Sequence, residues 1–186
     1  MHPQDSCAAP PIMEATVMLN EGTRRKLREV NFGELVDALD LQEKQAEYLA
    51  LPFDNRINLA VNYTYSAKYN AKVHHLINAA KLLIADTALA NIHYEKRGLG
   101  KDLLLTLVTC RFISNNQPVV INGFTGSGKS YLVCAISRQA CMLGFRSRYI
   151  RVPDLMELLS DTSLTTNDRC KLLKKFSGCR LLILDE

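Results

Sequence analysis

Apolar positions recur at three- and four-residue spacings through the first half of the chain, from about Asn20 to Tyr94. This spacing is that of amphipathic helices, and Pro52 interrupts it, with Asp54 able to cap the helix that follows. We therefore predict three or four short helices packed as a small bundle. The inner faces of these helices are predicted to comprise Leu35, Leu39, Gln42, Ala46, Leu49, Ile57, Ala60, Val61, Tyr65, Val73, Leu76, Ile77, Ala80, Leu83 and Ile84.

The pattern changes after Gly98 and Gly100, which mark a predicted hinge. Short apolar runs at 119–121 and 181–184, and a second predicted strand at about 147–152, then alternate with helical stripes, and Pro153 begins the helix after the second strand. This alternation predicts an α/β domain with a parallel sheet. The inner faces of the two helices that flank the first run are predicted to comprise Leu103, Leu104, Leu107 and Val108, and Leu132, Ala135, Ile136, Ala140 and Leu143.

These patterns divide the 186 residues into three parts. We predict a flexible tail over residues 1–19, a helical domain over 20–96 and an α/β domain over 97–186. No secretory signal is visible, and no apolar run is long enough to span a membrane, so we expect a cytoplasmic protein without a membrane partner.

Composition and charge add little to this division. A hydrophobic fraction of 47% and a charged fraction of 23% are ordinary for a globular protein. The net charge of +4 permits a polyanionic partner without requiring one. The six cysteines form no Cys-x-x-Cys pair and have no His partner at metal spacing, so we predict free, buried thiols in a reducing compartment.

A glycine-rich loop follows the predicted strand at 119–121 and leads into a predicted helix. Its glycines allow the backbone to wrap closely around a phosphate with the amide hydrogens pointing inward. Lys129 can reach the outer phosphates, Ser130 can ligate Mg²⁺, and the helix amino end adds positive potential. The residues predicted to bind the nucleotide are Gly123, Phe124, Thr125, Gly126, Ser127, Gly128, Lys129, Ser130 and Tyr131.

The apolar run at 181–184 ends in two carboxylates, Asp185 and Glu186. A buried strand with an acidic end is typical of a Walker B segment, in which the first acid holds a metal ion and the second polarises water. We predict Ser130 and Asp185 as metal ligands, and Lys129, Asp185 and Glu186 as catalytic residues. The acidic pair suits nucleotide hydrolysis better than small-molecule phosphorylation.

Residues 98–186 resemble the ATP-binding domain of the IstB-like proteins, the transposition helpers of insertion sequences. The stretches that carry the resemblance are 110–113, 119–140, 149–155 and the terminal apolar run with its aspartate. Residues 51–56 are similar, more weakly, to a segment that opens a long helix in the family. The IstB-like proteins are AAA+ ATPases related to the DnaC helicase loader.

The resemblance implies an ATP-binding AAA+ helper of DNA transposition, with residues 97–186 as the amino-terminal part of its AAA+ domain. It implies ATP and Mg²⁺ as cofactors, double-stranded DNA and a transposase as partners, and a homo-oligomeric intact protein. In the family the fourth core strand lies between the first and the third, and this chain supplies only the first three. The sensors and the arginine finger are also absent, so we expect the 186-residue chain to hydrolyse ATP poorly or not at all.

The helical half of the family contacts DNA and the transposase, and residues 68–80 fall where the family has a basic helical stretch. His74 and His75 stand where more basic residues are common, and we expect them to be exposed rather than metal ligands. The residues predicted to contact DNA phosphates are Arg24, Arg25, Lys26, Arg28, Lys68, Lys72 and Lys81.

The motifs leave other functions open. A DnaC-like loader of a replicative helicase carries the same nucleotide-binding motifs. A truncated, non-enzymatic module whose helical half docks on DNA or on a partner also fits the chain. A small-molecule P-loop kinase fits less well, because no basic lid follows the loop and the helical half has no role in that fold.

Overall fold

The computed structural model describes residues 19–92, 100–161 and 165–186. The predicted flexible tail lies outside the described residues except for Leu19, as does Gly98 of the predicted hinge. Over the described ranges the chain forms α1 (Glu21–Glu29), α2 (Gly33–Glu43), α3 (Ala46–Leu49), α4 (Phe53–Ala80), a 3₁₀-helix (Leu89–Asn91), α5 (Lys101–Val108), α6 (Arg111–Ser114), α7 (Lys129–Met142), β1 (Ser147–Arg151), α8 (Val152–Ser160), α9 (Thr166–Ser177) and β2 (Leu181–Asp185).

The chain divides into two compact units, and the division falls within α4, after Lys68. In the first unit the helices α1 and α2 are joined through Val30 to Phe32, and Gln42 on α2 is buried. The Gln42 amide donates a 2.9 Å hydrogen bond to the main-chain oxygen of Arg56 on α4. A buried amide needs such a partner, so Gln42 joins α2 to α4 from its predicted inner position. This division differs from the predicted domain boundary between residues 96 and 97. That boundary lies outside the described residues and stays a prediction.

The helix α4 runs unbroken for 28 residues, so the prediction of short helices is wrong for this region. Residues 53–80 contain neither Gly nor Pro, and nothing in their sequence ends a helix. The helix stops at Lys81, whose φ of 54° lies in the left-handed region. Leu83 and Ile84, predicted as inner positions, lie beyond this end and are 57% and 38% exposed.

In the second unit the helices α5, α6 and α7 share one apolar core. The described α7 positions Leu132 and Ala140 are buried there, as their helical spacing predicts, whereas Leu143 follows the helix and is 45% exposed. On α5, Leu107 is buried but Leu103 is 51% exposed, because an eight-residue helix presents only a narrow face to α7. The predictions of Leu103 and Leu143 as inner positions are therefore wrong.

The strands β1 and β2 form a parallel pair in which Ser147 lies beside Leu181 and Arg151 beside Asp185. The bounds of β1 and the start of α8 at Val152, with Pro153 in its first turn, confirm the predicted strand and helix. The observed fold is thus a helix-rich α/β arrangement with a two-stranded parallel sheet in the described residues.

The predicted first strand at 119–121 is not a strand in the structure. Residues 117–124 have no regular secondary structure, and most of them line one groove together with β2. A strand exists only through ladder bonds to a neighbour, and in the described residues this segment has no such neighbour. The prediction of three core strands is therefore corrected to two.

Burial agrees with the predicted state of three cysteines. Cys110, Cys134 and Cys141 are free and buried, whereas Cys170 is free and exposed, which corrects the prediction for that residue. Cys134 and Cys141 both belong to the buried face of α7, in agreement with a packing role. Cys7 lies outside the described residues.

We expect iodoacetamide at about pH 8 to alkylate Cys170 while Cys110 remains unmodified in the folded protein. Burial raises the pKa of the Cys110 thiol to about 11, with the nearby Cys141 adding to the rise, and only the thiolate reacts. Mass spectrometry of peptides labelled with and without denaturant measures the difference. Labelling of Cys110 as fast as Cys170 in the native protein would contradict the assigned core position.

No helix in the part of the chain that the structure describes is long and apolar enough to cross a lipid bilayer.

Candidate nucleotide-binding site

The loop before α7 has a backbone that depends on its glycines. Gly126 and Gly128 have φ values of 81° and 85°, in the left-handed region that side chains with a Cβ disfavour. At Gly123 the φ angle is not the constraint, but a Cβ there would lie 2.9 Å from Ser127 Oγ. The loop therefore needs glycine at Gly126 and Gly128, whereas a Cβ at position 123 would require the Ser127 hydroxyl to turn away.

Lys129 is the first residue of α7 and folds back over this loop. Its Nζ donates hydrogen bonds to the main-chain oxygens of Gly123, at 2.8 Å, and Phe124, at 3.2 Å. Within the described ranges no carboxylate forms an ion pair with it, so the ammonium keeps its full charge at the loop. A fixed, uncompensated cation beside a glycine loop is suited to an anionic ligand.

The amino end of α7 adds to this positive potential. The Leu132 N–H donates a hydrogen bond to the Gly128 main-chain oxygen, and this bond is the first of the helix. The N–H groups of Lys129, Ser130 and Tyr131, in the first turn, have no helical carbonyl one turn earlier to donate to and are directed out of the helix end. Gly128 caps the helix without a side chain, which leaves this end open to a ligand. Ser130, half-buried, presents its hydroxyl one residue after Lys129.

The acidic end of β2 is held by a residue that the sequence did not single out. The Tyr149 hydroxyl, from β1, donates a 2.7 Å hydrogen bond to Asp185 Oδ2. Burial and this bond to Asp185 raise the pKa of Tyr149, so the phenol keeps its proton and remains a donor. Tyr149 lies beside Ile183 in the ladder, and Asp185 is two residues further on the same face. In the sequence, the alternation of side chains in both strands was the available signal for this contact. It is insufficient alone, because the register of β1 against β2 decides which residues lie side by side.

One groove brings the two predicted motifs together. It has a volume of about 700 Å³ and lies between residues 117–123 and β2. Gly123 and Lys129 line it on the loop side, and Asp185 and Glu186 line it at the end of β2. The described residues hold no cluster of three or more His, Cys, Asp or Glu side chains of the kind that alone binds a metal.

The residues predicted to contact DNA have different surroundings. Arg24 forms an ion-pair cluster with Asp40 and Glu43, the latter at 3.0 Å, and its side chain is only 13% exposed. Lys68 donates to the main-chain oxygen of Asn31 and lies 4.4 Å from the centre of the Phe32 ring. These two cations are engaged within the first unit, and their positions lend the DNA prediction no support.

The remaining candidates of this set are on the surface. Arg25 is exposed and lies 3.8 Å from Glu29 in a surface ion pair. The exposed residues that complete the set are Lys26, Arg28, Lys72 and Lys81. His74 and His75 are exposed on α4.

A glycine loop closed by a lysine at a helix amino end, beside a parallel strand with an acidic end, defines the class of P-loop nucleotide-binding proteins. The family comparison is more specific, because the profile described as IstB-like ATP binding protein matches residues 25–186. The chain belongs to this IstB-like ATP-binding family, which confirms the resemblance drawn from the sequence.

Two curated relatives come from bacterial insertion sequences. An ATP-binding protein named for insertion sequence IS1162 of Pseudomonas fluorescens is 29% identical over 143 residues, covering 76% of this chain and 62% of the relative. The insertion sequence ATP-binding protein y4uH of Sinorhizobium fredii is 28% identical over 182 residues, covering 91% of this chain and 68% of that relative. The chain thus spans about three fifths of the length of the first relative.

Proposed function

We propose that this chain binds ATP with Mg²⁺ in the groove between the glycine loop and β2, as part of a protein that assists a transposase. The observation that carries the proposal is the uncompensated Lys129 ammonium, held over a glycine loop in the groove that Asp185 and Glu186 also line. The names of the relatives, which refer to ATP binding and insertion sequences, support transposition over helicase loading.

The residues present fit a nucleotide triphosphate. Gly126 and Gly128 allow the loop its left-handed backbone, and the open end of α7 supplies N–H donors. Lys129 would leave its two carbonyl partners for the outer phosphates, while Ser130 and Asp185 would hold the metal. Glu186 would orient water at the terminal phosphate. When bound, Mg²⁺ neutralises phosphate charge and polarises the terminal phosphoryl group.

Tyr149 serves this site as a positioning residue. Its hydroxyl occupies one lone pair of Asp185 Oδ2, which fixes the carboxylate plane and leaves the other oxygen for a metal or its water. A protonated phenol donates this bond at any pH near neutrality, because the pKa of Tyr149 is raised. Orientation of Asp185 is therefore built into the β1–β2 pair before a nucleotide binds.

The remaining parts of the proposal concern the whole protein. Double-stranded DNA and a transposase are the proposed partners, in a cytoplasmic homo-oligomer, and ATP hydrolysis is proposed for the intact protein. A steady-state assay of this chain tests the expectation of weak hydrolysis. Robust ATP turnover by the wild-type chain that vanishes in the Lys129→Ala variant would overturn that expectation.

Titration calorimetry with ATP, with and without MgCl₂, tests the proposal directly. We expect Asp185→Asn to remove most of the Mg²⁺-dependent gain in ATP affinity, and Tyr149→Phe to lose roughly two- to fivefold, as for one hydrogen bond near a charge. The matched control is Asp86→Asn, since Asp86 is exposed and lies in a connection away from the groove. An unchanged Mg²⁺ dependence in Asp185→Asn would contradict the assigned metal ligand.

A further inference from the structure

A second cavity lies at the amino ends of the two strands, opposite to the end that carries Asp185. Its volume is about 280 Å³. Arg146 and Arg148 reach it from the start of β1, Lys175 from the last turn of α9, and Lys81 from the end of α4. All of these residues belong to the second compact unit. Three segments of the second unit, at the start of β1, the last turn of α9 and the end of α4, therefore place four cations around the same space.

The charge of this cavity is of one sign. None of the residues that line it is an Asp or a Glu, and within the described ranges none of its four cations forms an ion pair. The surroundings have the same sign, because residues 69–186 contain sixteen Lys and Arg against nine Asp and Glu. Like charges brought together without a counterion repel one another, and a bound anion relieves that repulsion.

Arg148 gives a second, independent indication of a ligand. Its Nη1 donates a 3.0 Å hydrogen bond to the main-chain oxygen of Ala79, which anchors the guanidinium at the cavity wall. Its Nε is buried and has no partner among the described residues. A buried N–H without an acceptor is destabilising, and an oxygen of a bound anion would satisfy it.

We propose that this cavity binds a phosphate of a nucleic-acid backbone. Planar guanidinium groups such as those of Arg146 and Arg148 match phosphate oxygens in pairs, and Lys81 and Lys175 add point charges at the rim. The proposal adds Arg146, Arg148 and Lys175 to the cations considered from the sequence, and it gives Lys81 a defined setting.

The ligand is a polymer because the row of cations continues past the cavity on both sides. Lys72 precedes the lining residue Leu76 by one turn on the same face of α4. Lys171 precedes Lys175 by one turn on the same face of α9, and both lysines are exposed. A single small anion needs only the cavity, whereas a chain of phosphates also meets the cations one turn away.

This site is independent of the nucleotide site, since it lies at the other end of the strands and shares no lining residue with the first groove. The Lys129→Ala variant should therefore bind DNA as the wild type does. A failure to bind ATP would then contradict the proposed function, whereas a failure to bind DNA would contradict only the proposed phosphate site.

Fluorescence anisotropy with a labelled duplex of random sequence tests the proposal, with affinities measured over a series of salt concentrations. We expect Arg146→Gln with Lys175→Gln to lower the salt slope by about two and the affinity roughly 50-fold at about 0.1 M salt. The control pair is Lys44→Gln with Lys101→Gln, which removes the same charge from exposed positions outside the cavity and should change affinity less than about twofold.

A further variant tests geometry apart from charge. Arg148→Lys keeps the charge but removes the buried Nε, and we expect a clear loss of DNA affinity with the salt slope nearly unchanged. Equal losses in the cavity pair and the control pair would overturn the proposal. So would displacement of the duplex by inorganic phosphate or by polyglutamate as effectively as by unlabelled DNA, because these results assign the cavity to a small anion or to an acidic protein.

Discussion

Replacement of Lys129 by alanine is expected to weaken ATP binding by about 100-fold or more, because it removes a charge-assisted contact worth about 3 kcal/mol. The ammonium is held by main-chain oxygens of Gly123 and Phe124, and no described carboxylate neutralises it. Lys129 already lies at the loop, and on binding it would exchange these two neutral carbonyl oxygens for charged phosphate oxygens, which accept stronger hydrogen bonds. Titration calorimetry with ATP measures the loss.

Lys101 offers a matched control for this experiment. It is the first residue of α5, as Lys129 is of α7, and it is exposed. Lys101→Ala should leave the ATP affinity within about twofold of the wild type, since it lines no part of the groove. Both variants should melt close to the wild-type temperature. A Lys129→Ala protein that is folded and binds ATP normally would refute the proposed site.

Replacement of Phe112 by alanine is expected to lower the free energy of unfolding by about 3–5 kcal/mol. Phe112 on α6 is 6% exposed and belongs to the core that α6 shares with α5 and α7. Truncation leaves a cavity beside Leu132 and Ile136 that a packed helix core closes only in part. Urea denaturation followed by far-ultraviolet circular dichroism measures the change.

Phe124 is the natural control for this loss. It has the same side chain but is 91% exposed in the glycine loop, so Phe124→Ala should change the unfolding free energy by less than about 0.5 kcal/mol. If Phe112→Ala does not remain folded, Phe112→Leu keeps most of the volume and should lose about 1–1.5 kcal/mol. Equal stability of Phe112→Ala and Phe124→Ala would show that the α5–α7 core is wrongly assigned.

Local patterns in the sequence were sufficient for the loop, for α7 and for the β1–β2 strands. The glycine spacing specifies the backbone around Lys129 because each glycine meets its own local constraint. The buried face of α7 follows from helical spacing alone, with Leu132 and Ala140 inside. The step from β1 into α8 follows from Pro153 in the first turn of the helix. The loop, α7 and the start of α8 depend on no distant part of the chain, whereas β1 and β2 have a local strand pattern but form only by pairing with each other.

Features that depend on distant partners were not accessible from the sequence. Residues 119–121 have the apolar character of a strand, but a strand forms only where a neighbour offers a ladder. The bond from Tyr149 to Asp185 depends on the register of two strands that α8 and α9 separate along the chain, which no local period reveals. Arg24 looked like a surface cation, because Asp40 and Glu43 come to it only when α1 meets α2.

The strand that carries Asp185 has one further consequence. β2 bonds to β1 along one edge, while its residues also line the groove, so its second edge keeps main-chain donors and acceptors free of ladder bonds among the described residues. Leu182 and Leu184 are 39% and 54% exposed beside that edge. An apolar, unprotected strand edge is a template for self-association. A high concentration of this chain therefore favours aggregates in which β2 of one copy pairs with β2 of another. Such aggregates would cover the acidic end of the strand, and loss of solubility and loss of nucleotide affinity would then have one origin.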